Sequence, residues 1–268
     1  MYQCPLCQRP LTATDKLFSC SQNHSFDIAK EGYVNLLPVQ QKNSKAPGDN
    51  KEMMQARRDF LHAGWYQPLA DAVSKMLQPL QVKQLLDLGC GEGYYSGQIQ
   101  QALPQCQIYG LDISKNAIKQ AAKSNKQLQF CVASAFKLPF IDQCFDSIVR
   151  IYAPSAADEL VRVLKQDGYL LTVTPGPEHL FEMKQAVYAE PRLHDDAIEQ
   201  IAGFSHQQRQ RLSFRLDFSQ PADVLALIQM VPLAWKFTAE QKQQFAEKFC
   251  NNGNSISIDF LLDLYQLA

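Results

Sequence analysis

No run of about 18 apolar residues occurs in the 268-residue chain, so no membrane-spanning helix is expected. Its first residues lack a charged start followed by an apolar core, which argues against a secretory signal. Cysteine is too sparse for a disulfide scaffold: there are eight, and five of them (Cys90, Cys106, Cys131, Cys144, Cys250) are scattered singly. A reducing cytoplasm is therefore the expected compartment. An excess of basic charge is missing too. The net charge is −1, which does not announce a nucleic-acid binder.

What is present is enough apolar sequence, 46%, for one large domain or a domain with a small appendage. The charge is also unevenly spread. Residues 1–60 carry 8 Lys+Arg against 6 Asp+Glu, and residues 61–268 carry 18 against 21. Lys42, Lys45, Lys51, Arg57 and Arg58 face only Asp49 and Glu52 in their stretch. That stretch reads either as a solvated connector or as a local basic surface.

The N-terminus opens CPLC, and Cys20 and His24 follow in the spacing C-x2-C-x12-C-x3-H. A thioredoxin-like CxxC should follow a strand and open a helix, whereas this one precedes Pro10 and turn residues. Free thiols remain the other alternative. The spacing favours two knuckles that supply Cys4, Cys7, Cys20 and His24 to one zinc ion. No water-activating acidic partner is suggested, so the site reads as closed and structural. A module this small buries little core, and metal would hold it together.

QKNSKAPGDN reads as a linker, and KEMMQARRDFLHA and the segment from Tyr66 to Leu77 read as helices. From Gln84 strand-like runs alternate with helical ones: QLLDL, YYSGQIQQAL, QIYGLD, ISKNAIKQAAKS, LQFCVASA, FDSIVRIY, DELVRVLK, GYLLTVTPG. Such alternation predicts a parallel sheet with helices on both faces. The first strand-to-helix turn reads Asp87-Leu88-Gly89-Cys90-Gly91-Glu92-Gly93. Glycines there let a ligand approach backbone amides at a helix start; a dinucleotide loop or a plain tight turn would look similar. Asp87, ahead of the glycines, would repel a pyrophosphate but suits an amine. Asp112, at the end of the next strand, is placed to take ribose hydroxyls.

DLGCGEGYY, GLD and LPF-x4-FD-x-I together resemble the class I S-adenosylmethionine-dependent methyltransferases over residues 60–218. The resemblance implies an α/β, Rossmann-like, seven-stranded, mostly parallel sheet whose two late strands (QRLSFRLDFS and SISIDFLLDLY) form an antiparallel edge. It also implies Asp87 near the methionine amine, the loop of Gly89, Gly91, Glu92 and Gly93 against the cofactor, and Asp112 on the ribose. Ala133 and Ser134 would lie beside the adenine, where an acidic residue is often found. Tyr95 and Ser96 lie in the first turn of the next helix, with amides available to a carboxylate. Tyr66 and His179 are candidates to cover the methionine end.

Acceptor type is narrowed by absences. The Asn/Asp-Pro-Pro-aromatic run of exocyclic-amine methyltransferases is replaced by Arg150-Ile151-Tyr152-Ala153-Pro154, and there is no Pro-Cys motif for covalent attack on a pyrimidine. CPLC…C-x3-H, FDxAKEGYVNLL, PGDxxxMMxARRxFLxxGxYxPL, RIYAP and TPGPxHL resemble the bacterial 23S ribosomal RNA (guanine-N1-)methyltransferases across nearly the whole chain. That resemblance implies a zinc-binding RNA-recognition domain (1–40), a basic linker and helix (41–60) and a methyltransferase domain (61–268). It implies a 23S rRNA hairpin as partner and a homodimer shaping a basic cleft. Guanine 745 (hairpin 35) would be the target, with guanine 748, the macrolide-resistance branch, as the alternative. Arg150 is then expected to stabilise charge developing on guanine O6, and Tyr152 to stack on the base. A small-molecule methyltransferase with a structural knuckle and a non-catalytic RNA-binding module are the rivals.

Overall fold

A computed structural model of the chain describes residues 1–41, 51–250 and 253–268. Lys42 and Lys45 of the basic stretch lie outside them. The N-terminal module is a small antiparallel sheet of β1 (Thr12–Ala13), β2 (Leu17–Ser19) and β3 (Ser25–Asp27). β4 (Val34–Asn35) leaves it for the main sheet. The helices α1 (Lys51–His62) and α2 (Gln67–Leu77) follow. The alternating region comprises β5 (Gln84–Leu88), α3 (Tyr94–Ala102), β6 (Gln107–Asp112), α4 (Lys115–Ser124), β7 (Gln129–Val132), β8 (Phe145–Ile151), α5 (Ala157–Val163), β9 (Leu164–Pro175) and α6 (Phe181–Val187). β10 (Phe204–Leu216), α7 (Pro221–Met230), α8 (Ala239–Lys248) and β11 (Ile256–Leu267) complete the chain.

The main sheet runs β10-β11-β9-β8-β5-β6-β7-β4. It is parallel from β4 to β9, and β11 and β10 are antiparallel. The seven expected strands are all there. The eighth, β4, comes from the YVNLL segment: Val34 and Leu36 are both 1% exposed, and Leu36 N–H donates to Val132 O. Burying those two side chains also closes the edge that β7 would otherwise leave unpaired. The apolar run PADVLALIQMVPLAW predicts a single helix from Pro221 to Trp235. It stops at Met230 because Pro232 disfavours helix at Val231 and lacks an amide of its own; a 3-10 turn, Pro232–Lys236, takes over.

Strand parity sorts the two faces. Leu85 and Asp87 point to one, Leu86 and Leu88 to the other. The first face carries the larger core, in which Leu69, Val73, Ile99, Ile118 and Phe260 pack with Leu85. The second face is covered by α5 and by the N-terminal module. Tyr2 stacks on Phe140 at 5.3 Å and meets Tyr109 and Phe18 edge-on. Gln3 N–H donates to Pro139 O and Ile141 N–H to Met1 O. The N-terminal module therefore shares one packed core with the sheet, and the expected boundary near residue 40 is no boundary in the packing.

Candidate active site and metal centre

Cys4, Cys7, Cys20 and His24 bring their ligand atoms within 4.8 Å of one another. Three of its six edges are 3.6 Å between Cys7 and Cys20 Sγ, and 3.4 and 3.5 Å from His24 Nδ1 to Cys4 and Cys20 Sγ. Bonds of about 2.3 Å to sulfur and 2.0 Å to nitrogen in a tetrahedron require edges of roughly 3.5–3.8 Å, so the donor set fits zinc. Burial pushes the Cys20 thiol up, but backbone amides at Gln22 and His24 and the Cys7 and His24 side chains outweigh it and bring it down to about 6. That favours the thiolate a metal needs. Asn23, at φ 61°, makes the left-handed turn that returns the chain to His24.

The glycine loop after β5 has positive φ at Gly89 (77°), Gly91 (56°) and Gly93 (81°), a conformation glycine adopts without strain. Side chains at two of them would collide: a Cβ on Gly89 would lie 2.5 Å from Ala153 Cβ, and one on Gly93 2.9 Å from Ala121 Cβ. At Gly91 the space is open, which leaves one flank of the loop available to a ligand. Asp87, 2% exposed, accepts a 2.5 Å hydrogen bond from Ser96 Oγ. Burial pushes its carboxyl up to about 6, against the lowering effect of Ser96. Asp112 links the loop to the next helix, accepting from Gly91 N–H at 3.0 Å and Ser114 N–H at 2.7 Å. Ala133 N–H donates to Asp112 O, and Ser134 Oγ caps Phe136 N–H; both sit where β7 ends, one strand from Asp112. Cys90 and Cys131 are buried and their thiols pushed up, so they are inert packing groups.

Around the carboxyl ends of β5 and β8 stand Tyr66, Tyr95 and Tyr152, with hydroxyls in electrostatic reach of one another. Tyr66 is wedged edge-on between Phe60 and Phe260, and its buried hydroxyl has no hydrogen-bond partner among the described residues. An unmet buried hydroxyl costs on the order of 1–3 kcal/mol, which a polar ligand group would remove. Tyr152, 49% exposed, has φ 54°, a strained value for a tyrosine. Its Oη lies 3.5 Å from His179 Nε2. His179 is 7% exposed; burial first, then His194, lowers its pKa to about 3. Its Nδ1 accepts from Asp259 N–H at 3.3 Å.

Two expected site residues are differently engaged. Arg150 pairs in register with Leu88, whereas Asp87 pairs with Val149, so Arg150 points to the face opposite Asp87. There its guanidinium is bound by Glu199 and by Ser155 Oγ, beside a cleft of about 270 Å³ lined by Thr172, Thr174, His194 and Glu199. It faces away from the glycine loop and pairs with the segment after α6. Glu92 turns its carboxylate to α1, pairing with Arg58 at 3.3 Å and His62 at 3.2 Å. Sequence reasoning missed both α1 partners. Their i,i+4 spacing places them on one helix face, but nothing in sequence points that face at Glu92.

A class I fold whose first parallel strand delivers a buried acid and an open glycine loop, with a second acid ending the next strand, defines an S-adenosylmethionine-dependent methyltransferase carrying a structural zinc ribbon. The comparisons agree with this. Residues 2–45 match the family model described as RlmA, N-terminal, and residues 81–259 that of the Methyltransferase domain. YxjB of Bacillus subtilis, provisionally named a 23S rRNA (guanine-N1-)-methyltransferase, is 30% identical over 98% of this chain and 97% of its own. The 23S rRNA (guanine(748)-N(1))-methyltransferase of Streptomyces fradiae is 29% identical over 87% of this chain and 85% of its own. Among solved structures the MccD protein superposes with a TM-score of 0.50 at 16% identity, over 75% of this chain and 98% of its own, which supports the fold alone. The chain belongs to the zinc-ribbon family of 23S rRNA (guanine-N1-)-methyltransferases.

Proposed function

We propose that this protein methylates N1 of a guanine in 23S ribosomal RNA, guanine 745 of hairpin 35, as a cytoplasmic homodimer. The observation that carries the reading is the pairing of a zinc ribbon with the cofactor loop in one packed body, together with full-length likeness to enzymes named for that reaction. Guanine 748 is the second reading, and the activity for which the Streptomyces fradiae relative is named favours it. S-adenosylmethionine supplies an electrophilic methyl group. Asp87 would hold its amine, Gly89, Gly91 and Gly93 its flank, with Tyr95 and Ser96 in the adjoining helical turn. Asp112 would take the ribose, Ala133 and Ser134 the adenine edge, and Tyr66 Oη would find its partner at the methionine end. Glu92 would act indirectly, by fixing the loop to α1.

Guanine N1 carries a proton and lies on the pairing edge, so the base must be taken unpaired. Losing that proton puts negative charge on O6, where a positioned donor would help. Tyr152 fits this role better than Arg150. Neutral His179 accepts at Nδ1, so its proton sits on Nε2 and points at Tyr152 Oη. The tyrosine hydroxyl is then left to donate outward. Mapping 23S rRNA methylation by mass spectrometry in cells lacking the gene tests the reading. One guanine of hairpin 35 should lose its methyl group, and its position decides between 745 and 748. A fully methylated hairpin in the deletion strain excludes both.

A further inference from the structure

Trp235, Lys236 and Tyr188 make a surface cluster that the cofactor site does not use. Trp235 is 74% exposed and Tyr188 41%. Lys236 Nζ lies 4.0 Å from the Trp235 ring centroid and 5.7 Å from that of Tyr188. A cation over an indole face is an attractive arrangement, and it holds both groups in place without covering the indole. Among the described residues no carboxylate pairs with Lys236, so its charge is not neutralised by the protein. The cluster's position is set by the fold. The break at Pro232 ends α7 and throws Trp235 outward on the 3-10 turn. Tyr188 caps α6, which starts two residues after His179. Seven helical residues span about 10 Å, so the platform stands about one short helix from the Tyr152–His179 pair. The connection between β10 and β11 that carries Trp235 lies at the carboxyl end of β9, where β11 starts beside Pro175.

We propose that this cluster is a docking platform for an unpaired nucleotide of the RNA, with the base stacked on Trp235 and a phosphate at Lys236. The proposal rests on the RNA-substrate reading above. An exposed aromatic with an unpaired cation matches the two chemistries of single-stranded nucleic acid, a π-face and a phosphate, in one place. It also answers how an enzyme that must take one base out of a hairpin would hold the nucleotides beside it.

The chain has two tryptophans, Trp65 and Trp235, and Trp65 packs against Phe218 at 4.7 Å. The fluorescence difference between wild type and Trp235→Phe therefore reports the platform without disturbing Trp65. The probes are a synthetic rRNA hairpin with its loop and a fully paired RNA duplex of equal length. The looped hairpin should quench the Trp235 component saturably and the duplex should not. Trp235→Ala should weaken hairpin binding about tenfold, in line with losing one base–aromatic stack, with S-adenosylmethionine affinity unchanged by calorimetry. Lys236→Ala should lower the slope of log K against log salt by about one. Equal quenching by the duplex, or emission that follows protein concentration in place of RNA, would overturn the platform, the latter assigning it to a second copy of the chain. If the hairpin is methylated while Trp235→Ala binds it normally, the platform fails and the enzyme reading stands. Quenching by a hairpin that is never methylated leaves the platform and removes the methyl-acceptor reading.

Discussion

The zinc ribbon and the glycine loop each present a few groups to a ligand, but they are supported differently. The ribbon has strands of two or three residues, none with a buried position. Its own buried groups are few, Cys4, Leu11 and Cys20 with Tyr2 on the sheet side. Its ligands must therefore contribute folding free energy. The cofactor loop grows out of a strand buried from Leu85 to Leu88. With the core supplied by the sheet, that loop tolerates a buried acid pushed up to about 6 and three glycines in left-handed conformations. Where there is no core, the ligands make the structure; where there is one, the site is free to carry a buried charge and an open loop.

The largest break in this comparison comes from taking the metal away. Cys20→Ser, or chelation of zinc, should unfold the ribbon and lower rRNA methylation by more than about 100-fold, while S-adenosylmethionine affinity changes by less than about threefold. Methylation assays beside calorimetry check the split. Equal loss of both would mean that the ribbon, through Tyr2 and β4, also holds the cofactor loop. Tyr2→Ala tests that contact directly. Truncating a buried aromatic costs on the order of 3–5 kcal/mol, and the loss should appear in urea unfolding of the whole chain, since Tyr2 lies between Phe18 of the ribbon and Phe140 of the sheet.

At the loop the expected effect is smaller and depends on pH. Asp87→Asn should weaken S-adenosylmethionine binding about 10- to 100-fold, the scale of one charge-assisted hydrogen bond. The same change should leave the ligand-free protein as stable or more stable, because it removes a buried charge that is penalised. The sign follows from the raised pKa. Above about pH 6 the carboxylate is charged, which costs stability to the free fold but, on the proposed reading, would pair with the cofactor amine. Below it Asp87 becomes protonated in the fold, so the folding penalty shrinks progressively and is gone only below the ordinary carboxylate pKa of about 4, while cofactor affinity falls by about tenfold per pH unit. Calorimetry at pH 5, 6 and 7.5 measures this, and Asp87→Asn should flatten the profile.

The two regions were unequally legible in the sequence. The ribbon's ligands sit within 21 residues of each other, so spacing alone brought them together, and DLGCGEG lies on one strand-turn-helix whose geometry is local. Arg150 shows where that kind of inference stops. The sequence placed it correctly at the end of a strand, but the face it takes depends on its register against Leu88, a pairing between distant segments. The pairing of β4 was hidden for a related reason: a short strand after the ribbon is readable in YVNLL, but two residues do not say which sheet they join, and the open edge of β7 takes them. The stop at Pro232 was readable, since proline chemistry is local, and the helix was nevertheless expected to run on to Trp235.

Glu92 lies between these cases, and it carries the smallest effect. Its loop is the one proposed to hold the cofactor, yet its partners, Arg58 and His62, lie on α1. Burial raises the Glu92 pKa, and His62 and Arg58 oppose that rise, so the pair helps keep the carboxylate charged. His62 is half-exposed, which screens the interaction. His62→Ala alone should raise the cofactor dissociation constant by no more than about threefold at low salt, and by less at 0.5 M salt, where the Debye length is about 4 Å. A double-mutant cycle of His62→Ala with Glu92→Gln separates coupling from simple loss. If α1 holds the loop through this pair, the double variant should bind the cofactor no worse than Glu92→Gln alone. Full additivity would mean that α1 and the loop are held independently.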